Sequence, residues 1–250
     1  MKDKSGRSIN YLRISVTDKC NFRCRYCMPD PVPDVEHEEI LRYEEILRIC
    51  EAAVRLGIRK FKITGGEPLV RKGCVDFMRR LKETDGVETV TLTTNGMFVK
   101  EHIEEFKHMG LDGINISLDT LDRKQFHRLT GTDGVDAVVD AVAACVSAGL
   151  KTKINSVLLS ETKSQILCLA RLAQEMPVDV RFIEVMPIGF GRFEKGPTED
   201  AVLQILQAEY PDLAYRRDVR GNGPAVYYGS SLLQGYIGFI AANTPVSYTH

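Results

Sequence analysis

The chain has 250 residues, with 33 Lys and Arg against 34 Asp and Glu and a formal net charge of -1. That balance gives no general electrostatic hold on nucleic acid or on an anionic membrane surface. Its 44% hydrophobic and 27% charged residues are ordinary for a globular protein, no apolar run approaches the ~20 residues of a membrane span, and the length allows one large α/β domain or two small ones.

Residues 3–10 form a polar arm, and the apolar alternation of residues 11–16 predicts a strand. Cys20-Asn21-Phe22-Arg23-Cys24-Arg25-Tyr26-Cys27 follows at once, and Pro29, Pro31 and Pro33 then enforce an irregular connection. Residues 43–56 carry a helical stripe of Ile46, Leu47, Ile49, Cys50, Ala53, Val54 and Leu56, which Gly57 ends as a C-cap.

From there one theme repeats. Strand 60–64 runs into Gly65-Gly66-Glu67-Pro68 and a helix over 70–81; strand 89–93 ends in Thr94-Asn95-Gly96 before a helix reaching Met109. Strand 113–118 ends in Asp119, before helices at 123–129 and 135–148. Strand 151–159 precedes a helix at 163–175, and strand 179–185 ends in Met186-Pro187-Ile188-Gly189. Six strands alternating with helices predict a parallel sheet with right-handed crossovers. Their Ile, Val and Thr content is that of buried parallel strands. Polar or glycine residues cluster where each strand finishes, the edge on which such folds build sites. After Gly191 the theme changes: a polar loop with Pro197, a helix at 198–209, and β-like segments at 215–228 and 234–240 that are expected to form a lateral layer.

The C-x3-C-x2-C spacing of Cys20, Cys24 and Cys27 makes a short loop whose sulfurs can turn toward one centre. A 4Fe–4S cluster has four irons, usually each held by a thiolate. Three nearby thiolates leave one iron for a substrate or cosubstrate to chelate. Structural zinc would need a fourth ligand, for which His37 is the only nearby histidine. A disulfide framework is disfavoured by an odd count of seven cysteines and by the lack of a signal peptide. The same features make a cytoplasmic location the expectation. Cys50, Cys74, Cys145 and Cys168 stand alone in helical patterns and read as core or half-buried thiols.

The cysteine motif, with an aromatic before its last cysteine, resembles the C-x3-C-x-Φ-C signature of radical S-adenosylmethionine (SAM) enzymes, and Gly65-Gly66-Glu67-Pro68 resembles their GGEP motif. More narrowly, residues 12–24, Leu92-Thr93-Thr94-Asn95-Gly96, residues 114–119 and residues 181–186 are similar to the GTP 3′,8-cyclases of molybdenum-cofactor biosynthesis. The resemblance runs from about Asp3 to about Ile240, with its motifs in order. It implies an α/β fold, a partial (βα)6 TIM-like barrel open on one side, with a short, incomplete C-terminal lateral segment. The implied division is a barrel with its arm at 1–190, the start of the lateral region at 191–240, and a non-native or truncated tail at 241–250.

The resemblance also implies site residues. Cys20, Cys24 and Cys27 would hold a 4Fe–4S cluster, and SAM would occupy the remaining iron position; Tyr26, Gly66, Ser117 and Met186 match SAM-contacting positions. Gly66 has a further rationale, since a residue without a Cβ lets the backbone approach the cosubstrate closely. Arg13, Thr93 and Lys153 match GTP-contacting positions, and Lys62 stands where the family usually carries Arg, which keeps the charge but loses the bidentate geometry. The implied lyase chemistry is reductive SAM cleavage, abstraction of the ribose 3′ hydrogen of GTP, and closure onto guanine C8. The implied partners are GTP, an electron donor and the downstream pyranopterin-forming enzyme, with a homodimer a further expectation and no nucleic-acid or membrane partner.

The sequence departs from the family pattern at its end. The family carries a second C-x2-C…C cluster that holds guanine, followed by a Gly-Gly tail; here no cysteine follows Cys168 and the last residues are Val246-Ser247-Tyr248-Thr249-His250. Those five residues match one reading frame of a common sequencing adapter, and the chain as written is expected to cleave SAM but not to cyclise GTP efficiently. Two other readings stand beside this one: a radical SAM enzyme acting on a peptide or another small molecule, and a non-enzymatic, metal-stabilised binding module.

Overall fold

The fold is taken from a computed structural model that describes residues 9–27, 39–186, 189–217 and 223–241. The N-terminal arm before residue 9, the three prolines at 29, 31 and 33, His37, Pro187, Ile188 and the tail from 242 onward lie outside the described residues. Six strands pair in parallel in chain order: β1 (Tyr11–Ser15), β2 (Lys60–Thr64), β3 (Thr89–Thr94), β4 (Gly113–Ser117), β5 (Thr152–Leu158) and β6 (Asp179–Glu184). The connecting helices are α1 (Tyr43–Arg55), α2 (Cys74–Glu83), α3 (Ile103–His108), α4 (Arg123–Thr130), α5 (Val135–Ser147) and α6 (Ile166–Glu175). This is the βα series that the alternating pattern predicts.

The lateral segment extends the same sheet. After α7 (Glu199–Glu209), capped by the Thr198 hydroxyl, the chain forms β7 (Ala214–Arg216), β8 (Val226–Gly229) and β9 (Ile237–Ile240). β9 lies parallel beside β6, while β8 and β7 follow antiparallel, so the nine-stranded sheet runs open from β1 to β7. Helix starts differ most from expectation. The helix expected from 70 starts at Cys74, because Glu67 caps a 3₁₀ turn at Pro68–Val70 and Gly73 turns at φ +84°. Likewise α3 and α6 are each preceded by a 3₁₀ stretch, Val99–His102 and Ser160–Gln165, a common way to enter a helix.

The strands are not uniformly apolar in the way the Ile, Val and Thr content implied; they alternate. Phe61, Ile63, Val90, Leu92, Ile114, Ile116, Ile154, Val180 and Phe182 are buried in one core with Phe77 and Met78 of α2, Phe106 of α3, Val138 and Val142 of α5 and Leu169 of α6. The intervening positions are Arg13, Lys62, Thr93, Asn115, Lys153, Asn155 and Arg181. Strand register puts Arg13 beside Lys62, Thr93 beside Asn115, Asn115 beside Lys153 and Asn155 beside Arg181. The inner face is therefore polar and cationic, while the outer face carries the hydrophobic effect.

The sheet also curls. In a flat sheet β2 and β6 would stand about 19 Å apart, four strand spacings of ~4.8 Å. Yet the charge of Arg181 on β6 perturbs Lys62 on β2 more than Arg13 of the neighbouring β1 does, and Arg181 also perturbs Tyr11 on β1. An influence that exceeds the adjacent strand's requires the inner face to close on itself. Among the described residues no helix is long and apolar enough to cross a membrane. Phe182, fully buried with its ring centroid 5.9 Å from that of Phe239, joins β6 to β9 in the core. Phe182→Ala is expected to lower unfolding free energy by about 3–5 kcal/mol in denaturant titration; a loss under ~1 kcal/mol would contradict this packing.

Candidate functional site

The cysteine loop is fastened from several sides. Phe22 is buried and meets Phe126 of α4 edge-on, with centroids 5.6 Å apart. The amides of Arg23 and Arg25 donate to the carbonyls of Thr130 and Leu129 at 2.7 and 3.1 Å, so the loop satisfies the last turn of α4. Arg25 is paired with Glu161 and with Glu194, the latter at 3.0 Å. The Tyr26 hydroxyl donates to Asp119 at 2.6 Å. Asp119 also accepts from the Val157 amide at 2.7 Å, so one carboxylate beyond β4 ties the loop to β5.

Gly66 and its neighbours act on the same loop. A Cβ at Gly66 would stand 2.4 Å from the Lys19 carbonyl oxygen and 2.6 Å from that of Asp18. The close approach that requires glycine is therefore to the backbone leading into Cys20, a different neighbour from the cosubstrate of the sequence rationale. Gly65 is packed as tightly on Thr17, and Gly66 and Glu67 donate amide bonds to Thr17 and Lys19 at 2.7 and 2.8 Å. The fully buried Glu67 carboxylate accepts from the Thr94 hydroxyl, the Asn95 amide and the Leu69 amide at 2.8, 2.6 and 3.0 Å. Asn95 donates onward to Asn21 at 2.7 Å. Cys20 Sγ accepts from the Phe22 amide at 3.4 Å and from the Asn95 amide group at 3.9 Å.

Cys20 and Cys24 are half-buried and Cys27 is exposed. Burial pushes all three thiols up, and each of Cys20 and Cys24 is raised further by the nearby Cys27. The three sulfurs are thus near enough to sense one another's charge. Among the described residues no three Cys, His, Asp or Glu side chains converge as a ready metal cage. Three deprotonable thiols on one anchored loop, one of them receiving two N–H groups, suit a partly protein-ligated iron–sulfur cluster. The other four cysteines behave as expected: Cys50, Cys74 and Cys145 are buried and Cys168 is half-buried. Burial pushes Asp119 up to about 6, against the lowering effect of Tyr26 and Val157.

Of the remaining expected residues, Arg13, Lys62, Thr93 and Lys153 take the inner-face positions of their strands. Ser117 ends β4, and Met186 follows β6. The Thr93 hydroxyl accepts from Asn115 at 3.4 Å, and Arg13 donates weakly to the Thr64 hydroxyl at 3.5 Å. Lys153 is engaged: its ammonium lies 3.0 Å from Asp179 and 3.0 Å from the Tyr227 hydroxyl. Burial, then the charges of Arg181, Arg13 and Lys153, push Lys62 down to about 8. The structure thus gathers Arg13, Lys62 and Lys153 with a residue that sequence reasoning missed, Arg181. Arg181 is buried, donates to Asn115 at 2.6 Å and leaves its Nε without a partner, as is the Asn155 carbonyl oxygen. Its signal was in the sequence: Arg181 takes an inward position on its strand, as Lys62 and Lys153 do. Glu67, Asn95, Asn21 and Asp119 were also missed as individual residues, because their motifs were read for backbone shape. Gly66→Ala should push the cysteine loop out of place. After anaerobic reconstitution, iron per chain is expected to fall several-fold with far-ultraviolet circular dichroism unchanged; full loading would contradict the role of this contact.

The radical SAM superfamily profile matches residues 14–173. Curated relatives include a GTP 3′,8-cyclase of Clostridium perfringens (strain 13 / Type A), 43% identical over 97% of this chain and 76% of its own length. Another, from Heliobacterium modesticaldum, is 42% identical over 97% of this chain and 76% of its own. Among solved structures, Streptococcus suis SuiB bound to S-adenosylmethionine superposes with a TM-score of 0.65 at 21% identity, over 80% of this chain and 46% of that one. HydG, a maturase of the [FeFe]-hydrogenase, superposes with a TM-score of 0.58 at 16% identity, over 77% and 47%; both likenesses concern the fold. With its fastened three-cysteine loop at the end of β1 and its identity to these curated relatives, the chain belongs to the GTP 3′,8-cyclase family of radical SAM enzymes.

Proposed function

We propose that GTP is the substrate of this chain's radical chemistry, through abstraction of its ribose 3′ hydrogen, in the reaction that gives the 3′,8-cyclised dihydroguanosine triphosphate in the first step of molybdopterin synthesis. The chain as written, with no cysteine after Cys168, is not expected to complete the cyclisation efficiently. The observation that carries the reading is the convergence of Arg13, Lys62, Lys153 and Arg181 on one inner face. Cations gathered at such cost call for a polyanion, and a peptide substrate does not require them. In this reading residues 1–190 are the radical SAM unit and residues 191–240 the start of the C-terminal lateral region.

Within it, Cys20, Cys24 and Cys27 would hold a 4Fe–4S cluster, with Tyr26, Gly66, Ser117 and Met186 placed around SAM. When bound, the cluster and SAM supply a 5′-deoxyadenosyl radical able to take the ribose 3′ hydrogen, so that C3′ can join guanine C8. The chain's own residues bind and orient. Arg13, Lys62, Lys153 and Arg181 hold the triphosphate by charge, and Thr93 offers a hydroxyl beside them. Glu67, Asn95 and Asp119 hold the cysteine loop at the end of the chamber, so radical source and nucleotide are kept in register. The same reading calls for an external one-electron donor, delivery of product to a pyranopterin-forming enzyme, a cytoplasmic setting and a homodimer.

The test is label transfer. Anaerobically reconstituted protein, given SAM, a reductant and 3′-deuterated GTP, should yield deuterated 5′-deoxyadenosine, and Cys24→Ala should yield none. Unlabelled 5′-deoxyadenosine formed at a rate indifferent to GTP would overturn the substrate; cleavage by Cys24→Ala with full iron loading would remove the loop from its role.

Charge linkage gives a second test. Folding lowers Lys62 from 10.5 to about 8, so the unliganded fold bears the cost of the buried ammonium fully below pH 8 and sheds it as pH rises toward 10.5. A bound triphosphate favours the ammonium and raises its pKa again. Calorimetric titration of GTP at about pH 8.5, in buffers of different ionisation enthalpy, should therefore report net proton uptake. No uptake would contradict contact between Lys62 and the triphosphate.

A further inference from the structure

We propose that Tyr227 and Gly238, contributed by β8 and β9 outside the six βα units, are positioning residues that hold Lys153 and Arg181 in place for a nucleoside polyphosphate. The proposal rests on the polyphosphate reading above and assigns it two residues that are not among the expected site residues.

Register aligns the parts. Gly238 on β9 is flanked by Arg181 on β6 and by Tyr227 on β8. A Cβ at 238 would stand 2.8 Å from Arg181 Cγ and 2.9 Å from Tyr227 Cε1. Real side chains do not tolerate such distances, so the missing Cβ is what lets the arginine stem and the tyrosine ring cross β9 together. This glycine is present for space. What the space holds is functional. Arg181 crosses it to reach Asn115, with its Nε buried and without a partner. The buried Tyr227 accepts a hydrogen bond from Lys153 at 3.0 Å, and the Lys153 ammonium lies 4.9 Å from the centre of its ring. Asp179 holds the same ammonium at 3.0 Å. The tyrosine hydroxyl and ring thus share this cation with Asp179 and keep it at the chamber wall.

The experiment measures binding of inorganic tripolyphosphate and of GTP by calorimetry across a pH series, with SAM affinity and iron loading as controls. Gly238→Ala, which displaces Arg181, is expected to weaken both polyanions by about tenfold or more while the controls hold. Its basic limb should also move up in pH, because Lys62 loses its largest charged neighbour; Arg13, Lys153 and the Asp179 carboxylate beside Lys153 remain. A purely structural glycine would not move that limb. Tyr227→Phe keeps the ring and removes only the hydroxyl, so it tests the proposal even where Gly238→Ala folds poorly; a roughly threefold or greater weakening is expected. If both variants match wild type in affinity and pH profile, the proposal fails and the polyphosphate reading survives. If wild type binds neither tripolyphosphate nor GTP, the reading itself fails.

Discussion

The structure depends on an arrangement that is unfavourable in isolation: four cationic side chains from β1, β2, β5 and β6 facing one another across a curled sheet. For Lys62 alone the shift from 10.5 to about 8 corresponds to roughly 3 kcal/mol against the charged form. Folding free energy is only ~5–15 kcal/mol for a typical domain, so this is a substantial local penalty. The outer face offsets it, with aromatic and aliphatic side chains of β2 to β6 and β9 buried in one core with those of the helices. Stability is thus carried on one side of the sheet and chemistry on the other.

The same division explains the cysteine loop. Nothing in the loop itself would hold three thiols near the chamber. Its place is set by neighbours: the Gly65-Gly66 backbone clamped on Thr17 to Lys19, Glu67 and Asn95 reaching Asn21, Asp119 holding Tyr26, and the end of α4 receiving Arg23 and Arg25. The anchors come from the ends of β2, β3, β4 and α4. The loop is consequently fixed relative to the inner-face cations without touching them, which is what a reaction between a radical source and a separately held nucleotide needs.

Much of this was legible in the sequence. The βα alternation, the order of strands and the loop edge followed from apolar periodicity and turn residues, because those patterns reflect local physics. The helix starts after Pro68, Gly96 and Leu159 were misplaced, since 3₁₀ entry depends on local caps rather than period. Arg13, Lys62 and Lys153 were singled out by resemblance and Arg181 was not; alternation gives its inward position, but register and curl are needed to bring it near the others. Gly66 was singled out for a close backbone approach to the cosubstrate, and the approach the fold itself requires is to the carbonyls of Asp18 and Lys19. Tyr227 and Gly238 were not among the expected site residues; their meaning arises from contacts between three adjacent strands.

The most direct test of the account is the titration of Lys62 itself. Its side-chain resonance, in protein carrying carbon-13-labelled lysine and assigned by its loss in Lys62→Arg, can be followed with pH in the absence of nucleotide. The account predicts a midpoint near 8, as burial and the converging charges of Arg181, Arg13 and Lys153 require. A midpoint near the ordinary 10.5 would mean that the cations do not converge, and the chamber as described here would not exist.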